Sequence, residues 1–333
     1  MDWDKGFSAS YFARLVDPVT FRSMERIEIL EGQIVHSESD LRESADIKCR
    51  DYEAGERWIR IYLCARQGGS SETIAMFTGL ACSPSDDING RITDNSVQLY
   101  SVLKPAYDVL LEPGWYVPAG YSGAEMVGKL LSVGSAPVIV EEGSPKIAEA
   151  IIAEENETRL SMADKVLTAI GWRIRIDGSG TIHVCPEASE PSATFGANLN
   201  DVIEPKLKVS RDWYGCPNVF RAISGELMAI AKDESEESPL SIQNRGREIW
   251  AQDTSVNLSD GESIGDYASR RLKEEQQYAI AASYDRRYKP NVTVTDIVRL
   301  DYPAQGLQGL YKVTAQTITL GYGASTSEEA VKI

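Results

Sequence analysis

Residues 161–185 read SMADKVLTAIGWRIRIDGSGTIHVC, and this stretch decides how the chain is parsed. Ser161-Met162-Ala163-Asp164 has the form of a helix cap. Val166, Leu167 and Ile170 then share one helical face, and Gly171 stands where a helix would end. Trp172-Arg173-Ile174-Arg175-Ile176 alternates with period two, Asp177-Gly178-Ser179-Gly180 is turn chemistry, and Thr181-Ile182-His183-Val184-Cys185 returns. A helix feeding a β-hairpin is an α+β unit, so what flanks it sets the fold class.

Upstream the pattern is antiparallel β. Residues 26–29 and 33–36 read as strands on either side of Glu31-Gly32. Residues 57–64 alternate, with Ile59, Ile61 and Leu63 on one face; Trp58, Arg60 and Tyr62 on the other suit a half-solvated sheet or a subunit contact. A turn at Gly68-Gly69 leads into a strand over 73–80, a polar stretch follows at 83–89, and 96–103 is strand again, the spacing of a small barrel or sandwich. Ser122-Gly123-Ala124-Glu125 has capping-box spacing before Met126, Val127, Leu130 and Leu131, and Ser144-Pro145 opens a further helix through 147–152. Downstream, strands are expected at 206–209 and 218–223 and an exposed acidic loop at 233–239. Ser263 then caps a helix of about 20 residues with Tyr267, Leu272 and Ala279 as core contacts. Strands follow at 292–294, 297–300 and 311–320, with a frayed Ser- and Glu-rich tail after Gly323.

Composition bounds the function. The 333 residues are enough for about two domains. The 34 Lys and Arg against 50 Asp and Glu leave a net charge of −16, a surface that repels phosphate backbones and anionic membranes. Met1-Asp2-Trp3-Asp4-Lys5-Gly6 lacks the basic and apolar regions of a signal peptide, and no apolar run reaches membrane length, so we expect folding in the cytosol and no membrane span. Cys49, Cys64, Cys82, Cys185 and Cys216 are odd in number and form no C-x-x-C pair, which reads as free, mostly buried thiols.

No catalytic constellation emerges. His183 and Cys185 share a strand face, but without a second ligand pair they read as ordinary strand residues. His36 and His183 lie in no nucleophile motif. Glu141-Glu142 and Glu154-Glu155 are adjacent pairs whose side chains point apart. Glycine-rich phosphate loops are absent. We therefore assign no catalytic, cofactor or metal residues and do not expect an enzyme. Trp115, Tyr116 and Tyr121 would serve an alternative, a carbohydrate-binding adhesin at a tail tip, since aromatic faces stack on sugar rings. A peptidoglycan hydrolase built on a carboxylate pair is the weaker alternative.

Several segments in order resemble bacteriophage tail hub proteins. The stretch 151–161, IIAEENETRLS, with the capped helix, Ile170-Gly171-Trp172-Arg173-Ile174 and Asp177-Gly178-Ser179-Gly180, resembles the middle of such hubs. Cys216-Pro217-Asn218-Val219-Phe220 resembles their P-N-V strand. Ser238-Pro239, Gln243-Asn244-Arg245-Gly246-Arg247, the charged helix from Ile264 and the strands at 310–313 and 316–320 follow in the same order. The resemblance, to hubs of phage Mu and related prophage and contractile-injection particles, implies a mainly β fold with an α+β insert: two small tube-protein-like β-barrels and a helix/hairpin domain. It places the first barrel at 1–105, the α+β domain at 106–199, and the second barrel with a long helix near 264–283 at 200–333, strands at 200–225 being available to complete the first barrel. It further implies a homotrimeric structural hub of the virion tail tip or baseplate, assembled in the bacterial host cytoplasm. Six barrels per trimer would meet the hexameric tail tube or distal tail protein, and the threefold would meet the trimeric spike or tip. The bore would admit the tape-measure protein and pass DNA without specific binding. Relatives with lytic modules carry more chain after the second barrel, so no lytic activity is expected. Part of the acidic excess, including residues 233–237, is expected to face the bore.

Overall fold

Residues 57–64 nucleate what the alternation promised. The structure, a computed structural model, describes the chain except residues 40, 51, 54, 90, 91, 197–206, 212, 255, 257, 259, 260, 278, 279, 306, 322 and 323. Strands β1 (Ser8–Val16), β2 (Ser23–Ser37), β3 (Glu43–Arg50), β4 (Arg57–Gln67), β5 (Ser70–Asn89) and β6 (Ile92–Ser101) pair in the order β1-β4-β5-β6-β3-β2. Pairing of the start of β2 with the end of β1, Ala13 facing Ile27 and Val16 facing Ser23, closes the ring. Ile59, Ile61 and Leu63 are fully buried inside it with Ala13, Ile34, Phe77 and Leu99. Two expectations change. Strand β2 runs unbroken through Glu31-Gly32 with a bulge against β3; a Cβ on Gly32 would sit 2.6 Å from the Asp46 carbonyl oxygen, so this glycine permits close strand approach rather than a turn. The polar stretch 83–89 continues β5 as an exposed hairpin arm paired with β6. Its backbone ladder is regular, but neither face is buried deeply enough to mark it in the hydropathy pattern.

The middle of the chain folds as α1 (Lys104–Asp108), β7 (Tyr116–Val117), α2 (Gly123–Leu131), β8 (Val138–Val140), β9 (Ile151–Ile152), α3 (Arg159–Ile170), β10 (Trp172–Ile176) and β11 (Ile182–Pro186). The β10–β11 hairpin gains β8 as a parallel third strand, and α2 and α3 pack with it around Leu130, Val166 and Val184. Helix α3 starts three residues before the cap read from sequence: Thr158 is the cap, its Oγ1 accepting the Ser161 N–H at 3.1 Å, and Gly171 closes the helix in the left-handed region as expected. Residues 147–152 form no helix. Ser144 Oγ instead accepts the Ala124 N–H at the start of α2, and the segment runs extended, with Ile147 and Ile151 buried. The outer face of β4 is not solvated, because Trp58 packs into this middle core beside Phe21.

The remainder comprises β12 (Pro191–Gly196), β13 (Lys208–Arg211), β14 (Val219–Ser224), β15 (Leu227–Lys232), α4 (Ile242–Arg245), β16 (Trp250–Asp253), α5 (Ile264–Gln277), β17 (Ile280–Arg287), β18 (Ile297–Tyr302), β19 (Leu307–Thr319) and β20 (Ser325–Lys332). Six of these pair in the order β12-β18-β19-β20-β17-β13 around Phe195, Tyr284, Leu300, Tyr311 and Val313. Pairing of β19 with β2 fuses this second sheet to the first barrel. Strands in 200–225 do not complete the first barrel: β13 belongs to the second sheet, and β14 to a separate sheet, β15-β14-β16, backed by α5. Tyr267 and Leu272 are buried there as expected, while Ala279 and Lys206 lie outside the described residues. Helix α5 spans 14 residues rather than about 20 because β17 begins at Ile280. Residues 292–294 are a buried turn segment, not a strand. The tail after Gly323 is not frayed: β20 sits between β17 and β19, with Thr326, Glu328 and Ala330 turned inward.

Candidate assembly surfaces

The fused sheets are locked by a row of buried polar side chains. Glu43 faces His36, His36 faces Gln316 and Gln316 faces Glu328 across β3, β2, β19 and β20. His36 Nδ1 lies 3.4 Å from Glu43 Oε2. Burial pushes the imidazole down to about 4, and burial, then the Asp177 charge, holds the Glu43 carboxyl well above its usual range. The imidazole is therefore neutral at pH 7, and the carboxyl beside it takes up its proton well above the usual carboxylate range. Gln316 Nε2 donates to Glu328 Oε1 at 2.7 Å and to the Val292 carbonyl at 3.0 Å. Arg286, from β17, pairs with Glu328 and lies over the Phe195 ring. Burial opposes its charge, but the Glu328 carboxylate more than compensates and raises its pKa.

The middle unit is bolted to both sheets. The Asp177–Gly180 turn seats on the outside of the first barrel, where Thr78 Oγ1 donates to the Gly178 carbonyl at 2.9 Å and an Arg60 Nη donates to the Ser179 carbonyl at 2.7 Å. A Cβ on Gly178 would fall 1.9 Å from the Ala75 carbonyl oxygen, so only glycine fits. On the other side an Arg173 Nη donates to Thr295 O and Oγ1 at 2.6 and 2.8 Å and reaches Asp296 at 3.1 Å. Thr295 holds a φ of +71°, a conformation costly for a β-branched residue and fixed by that grip.

Residues singled out for chemistry do not converge. His183 is held by Asp177 at 3.2 Å, beside the docked turn. Burial pushes the Cys185 thiol up. Among the described residues no three potential metal ligands cluster. Glu154 is paired with Lys165 at 2.8 Å, the lysine also holding buried Glu157, and Glu141 and Glu142 are exposed. Trp115 packs partly into the middle core, leaving Tyr116 and Tyr121 exposed. In the acidic loop, Asp233 turns back to accept from Ser238 Oγ and Gln276 Nε2, while Glu234, Glu236 and Glu237 are exposed.

Two exposed apolar surfaces escaped the sequence reading. One is the face of β15-β14-β16 opposite α5, carrying Met228, Ile230 and Trp250. Its signal is the run VFRAISGELMAIAK at 219–232, apolar on both parities, as a strand covered on two sides would be. The other is the extended pair of segments where Tyr116 faces Ile152 and Leu110 bridges Thr158.

Two fused six-stranded sheets with a helix/hairpin unit braced across them define a fold of phage tail proteins, the class that the ordered motifs resemble. No family model matches the sequence, nor does any curated protein. Among solved structures, the tail protein from Neisseria meningitidis MC58 superposes with a TM-score of 0.69 at 12% identity, covering 97% of this chain and 96% of that one. The 43 kDa tail protein of prophage MuSo2 from Shewanella oneidensis gives 0.69 at 13%, covering 98% of each chain. Prophage tail protein gp18 from Listeria monocytogenes EGD-e gives 0.59 at 12%, covering 97% and 94%. What is shared at this identity is the fold, over essentially the whole length.

Proposed function

We propose that this chain is a structural hub of a phage or phage-like tail tip or baseplate: a homotrimer in the virion tail that adapts a hexameric tube to a trimeric spike or tip around a channel for DNA. The observation that carries the reading is the fusion of two six-stranded sheets through the β2–β19 pairing, because one chain with two six-stranded units offers six to a ring when three copies assemble. Full-length likeness to prophage tail proteins supports it. The two barrel units and the middle unit are the domains of this reading, and its role is mechanical rather than catalytic. Negative-stain microscopy of the purified protein mixed with tail tubes tests it: threefold caps on tube ends are expected, and a protein that never joins tubes sinks it. Zymography on peptidoglycan is expected to stay blank, and a cleared zone lost on a single Glu→Gln change would restore the hydrolase alternative.

A further inference from the structure

We infer that the outer face of β15-β14-β16 docks on the 107–116/152 surface of a second copy, head to tail, an assignment that rests on the trimeric reading above and names its contact. The sheet face is built like an interior. Ile223 faces Met228, Arg221 faces Ile230, and Val219 lies between Trp250 and Lys232, so the outward side chains form an apolar carpet with two cations in it, of which Lys232 is already paired with Glu248 at 2.7 Å. Met228 is 59% exposed and Ile230 43%, although the alternate residues Phe220 and Ala222 are buried under α5. Arg221 has no ion-pair partner among the described residues. Its guanidinium donates to Gln252 Oε1, and its Nε is buried without any acceptor. A surface of this kind calls for an apolar partner that also brings a carboxylate.

The same chain displays a second such surface, whose Ile152 lines one cavity with Ser224 and Gly225 at the end of β14. Leu110, Tyr116 and Ile152 are more than half exposed on the paired segments 109–117 and 151–159, which are stitched by the Leu111 N–H to Glu157 O and Ala153 N–H to Trp115 O bonds. Glu112 and Glu155, on those segments, are exposed and have no ion-pair partner among the described residues, unlike Glu154 and Glu157, which Lys165 holds. The two surfaces thus complement each other in charge and share apolar character. They are different surfaces, so their contact is heterologous and, at a rotation of one third of a turn, closes into the three-membered ring of the trimeric reading, whereas a face that met itself would stop at a two-fold dimer.

Oxidative cross-linking of the full chain tests this. With Met228→Cys and Ile152→Cys in one chain, non-reducing gels are expected to show two- and three-chain species above the wild-type background of five native cysteines. Neither single variant is expected to do so, and Arg221→Glu is expected to lower the yield about tenfold through like-charge contact. Should that pair fail to fold, Ile230→Cys with Leu110→Cys places thiols on the same two surfaces. The assignment is overturned by no ladder in either pair, by dimers from Met228→Cys alone, by a yield indifferent to Arg221→Glu, or by a ladder that joins this chain only to an added tube subunit. Failure is separable from that of the hub reading: caps on tubes without a ladder sink the contact alone, and a three-chain ladder without tube caps sinks the hub.

Discussion

Glu43 and His36 sit at the seam as a pair whose titrations burial moves in opposite directions, and their proton balance is specific enough to measure. Between about pH 4.5 and 6.5, the ordinary values of the two groups, the unfolded chain holds one proton on the imidazole and the folded chain one on the carboxyl, so the pair adds no pH slope. Above 6.5 the unfolded chain has released its proton while Glu43, held well above its usual range, releases later, so stability falls as pH rises toward the folded carboxyl's own titration, by at most about 1.4 kcal/mol per unit. Below 4.5 the unfolded chain binds a second proton that His36 takes only near 4, so stability falls toward acid as well. Glu43→Gln removes the alkaline limb: its urea midpoint, compared with wild type at pH 6, 7 and 8, is expected to gain steadily with pH, and parallel curves would refute the upward shift of the Glu43 carboxyl. Gly178 makes a sharper steric case. Gly178→Ala drives a methyl into the Ala75 carbonyl and should cost about 1–3 kcal/mol in chemical denaturation, whereas Gly6→Ala, with open space around its Cα, serves as the near-neutral control. The Asp177–Gly180 turn was legible in the sequence as a turn. That it is a docking plug was not, since the residue that demands glycine lies 103 positions away, on β5.

Local periodicity served elements whose neighbours are near in sequence and failed where distant strands supply the partner. The inner face of β4 and the Trp172–Pro186 hairpin match the alternation in the residues themselves, whereas the outer face of β4, expected to be half-solvated or a subunit contact, is covered by the middle unit through Trp58. Helix α5 was overextended because nothing in its charged face shows where β17 must begin. Strand β20 looks like a frayed tail in the sequence because STSEEAVK offers almost no apolar signal; its inward positions are Thr326, Glu328 and Ala330, and the buried carboxylate is tolerable only because Arg286, 42 residues away, meets it. If β20 is a central strand, its amides carry ladder bonds on both sides. Hydrogen exchange of peptides covering 325–332 should then be as slow as that of 311–319; exchange within seconds would return the segment to a frayed tail. The exposed face at 219–232 is hidden for a related reason: apolar residues on both strand parities look like core, and only the fold shows that one side has no cover; at 107–116 the sequence singles out Tyr116 but not Leu110 and Ile152 beside it.

At the scale of the whole molecule the charge of −16 becomes a question about where the acids point. The sequence expectation places the 233–237 loop toward a bore through which DNA slides, and the fold keeps Glu234, Glu236 and Glu237 exposed while Asp233 is spent on tying the loop to α5 through Gln276. Among the described residues these three glutamates carry no hydrogen bond or ion pair through their carboxylates, so reversing them leaves the architecture intact and isolates the electrostatic role. Glu234→Lys, Glu236→Lys and Glu237→Lys together take the net charge from −16 to −10, still far too acidic for the chain to bind DNA as a whole. Three lysines per chain, repeated threefold round a channel, would nevertheless put a belt of nine cations against a phosphate backbone. Tubes capped with this variant are expected to retain DNA at 50 mM salt and release it at 300 mM, with a steep log-log dependence on salt, while wild-type caps retain none. Equal, salt-insensitive passage through both would place the loop on the outer surface and reduce the acidity there to a matter of solubility.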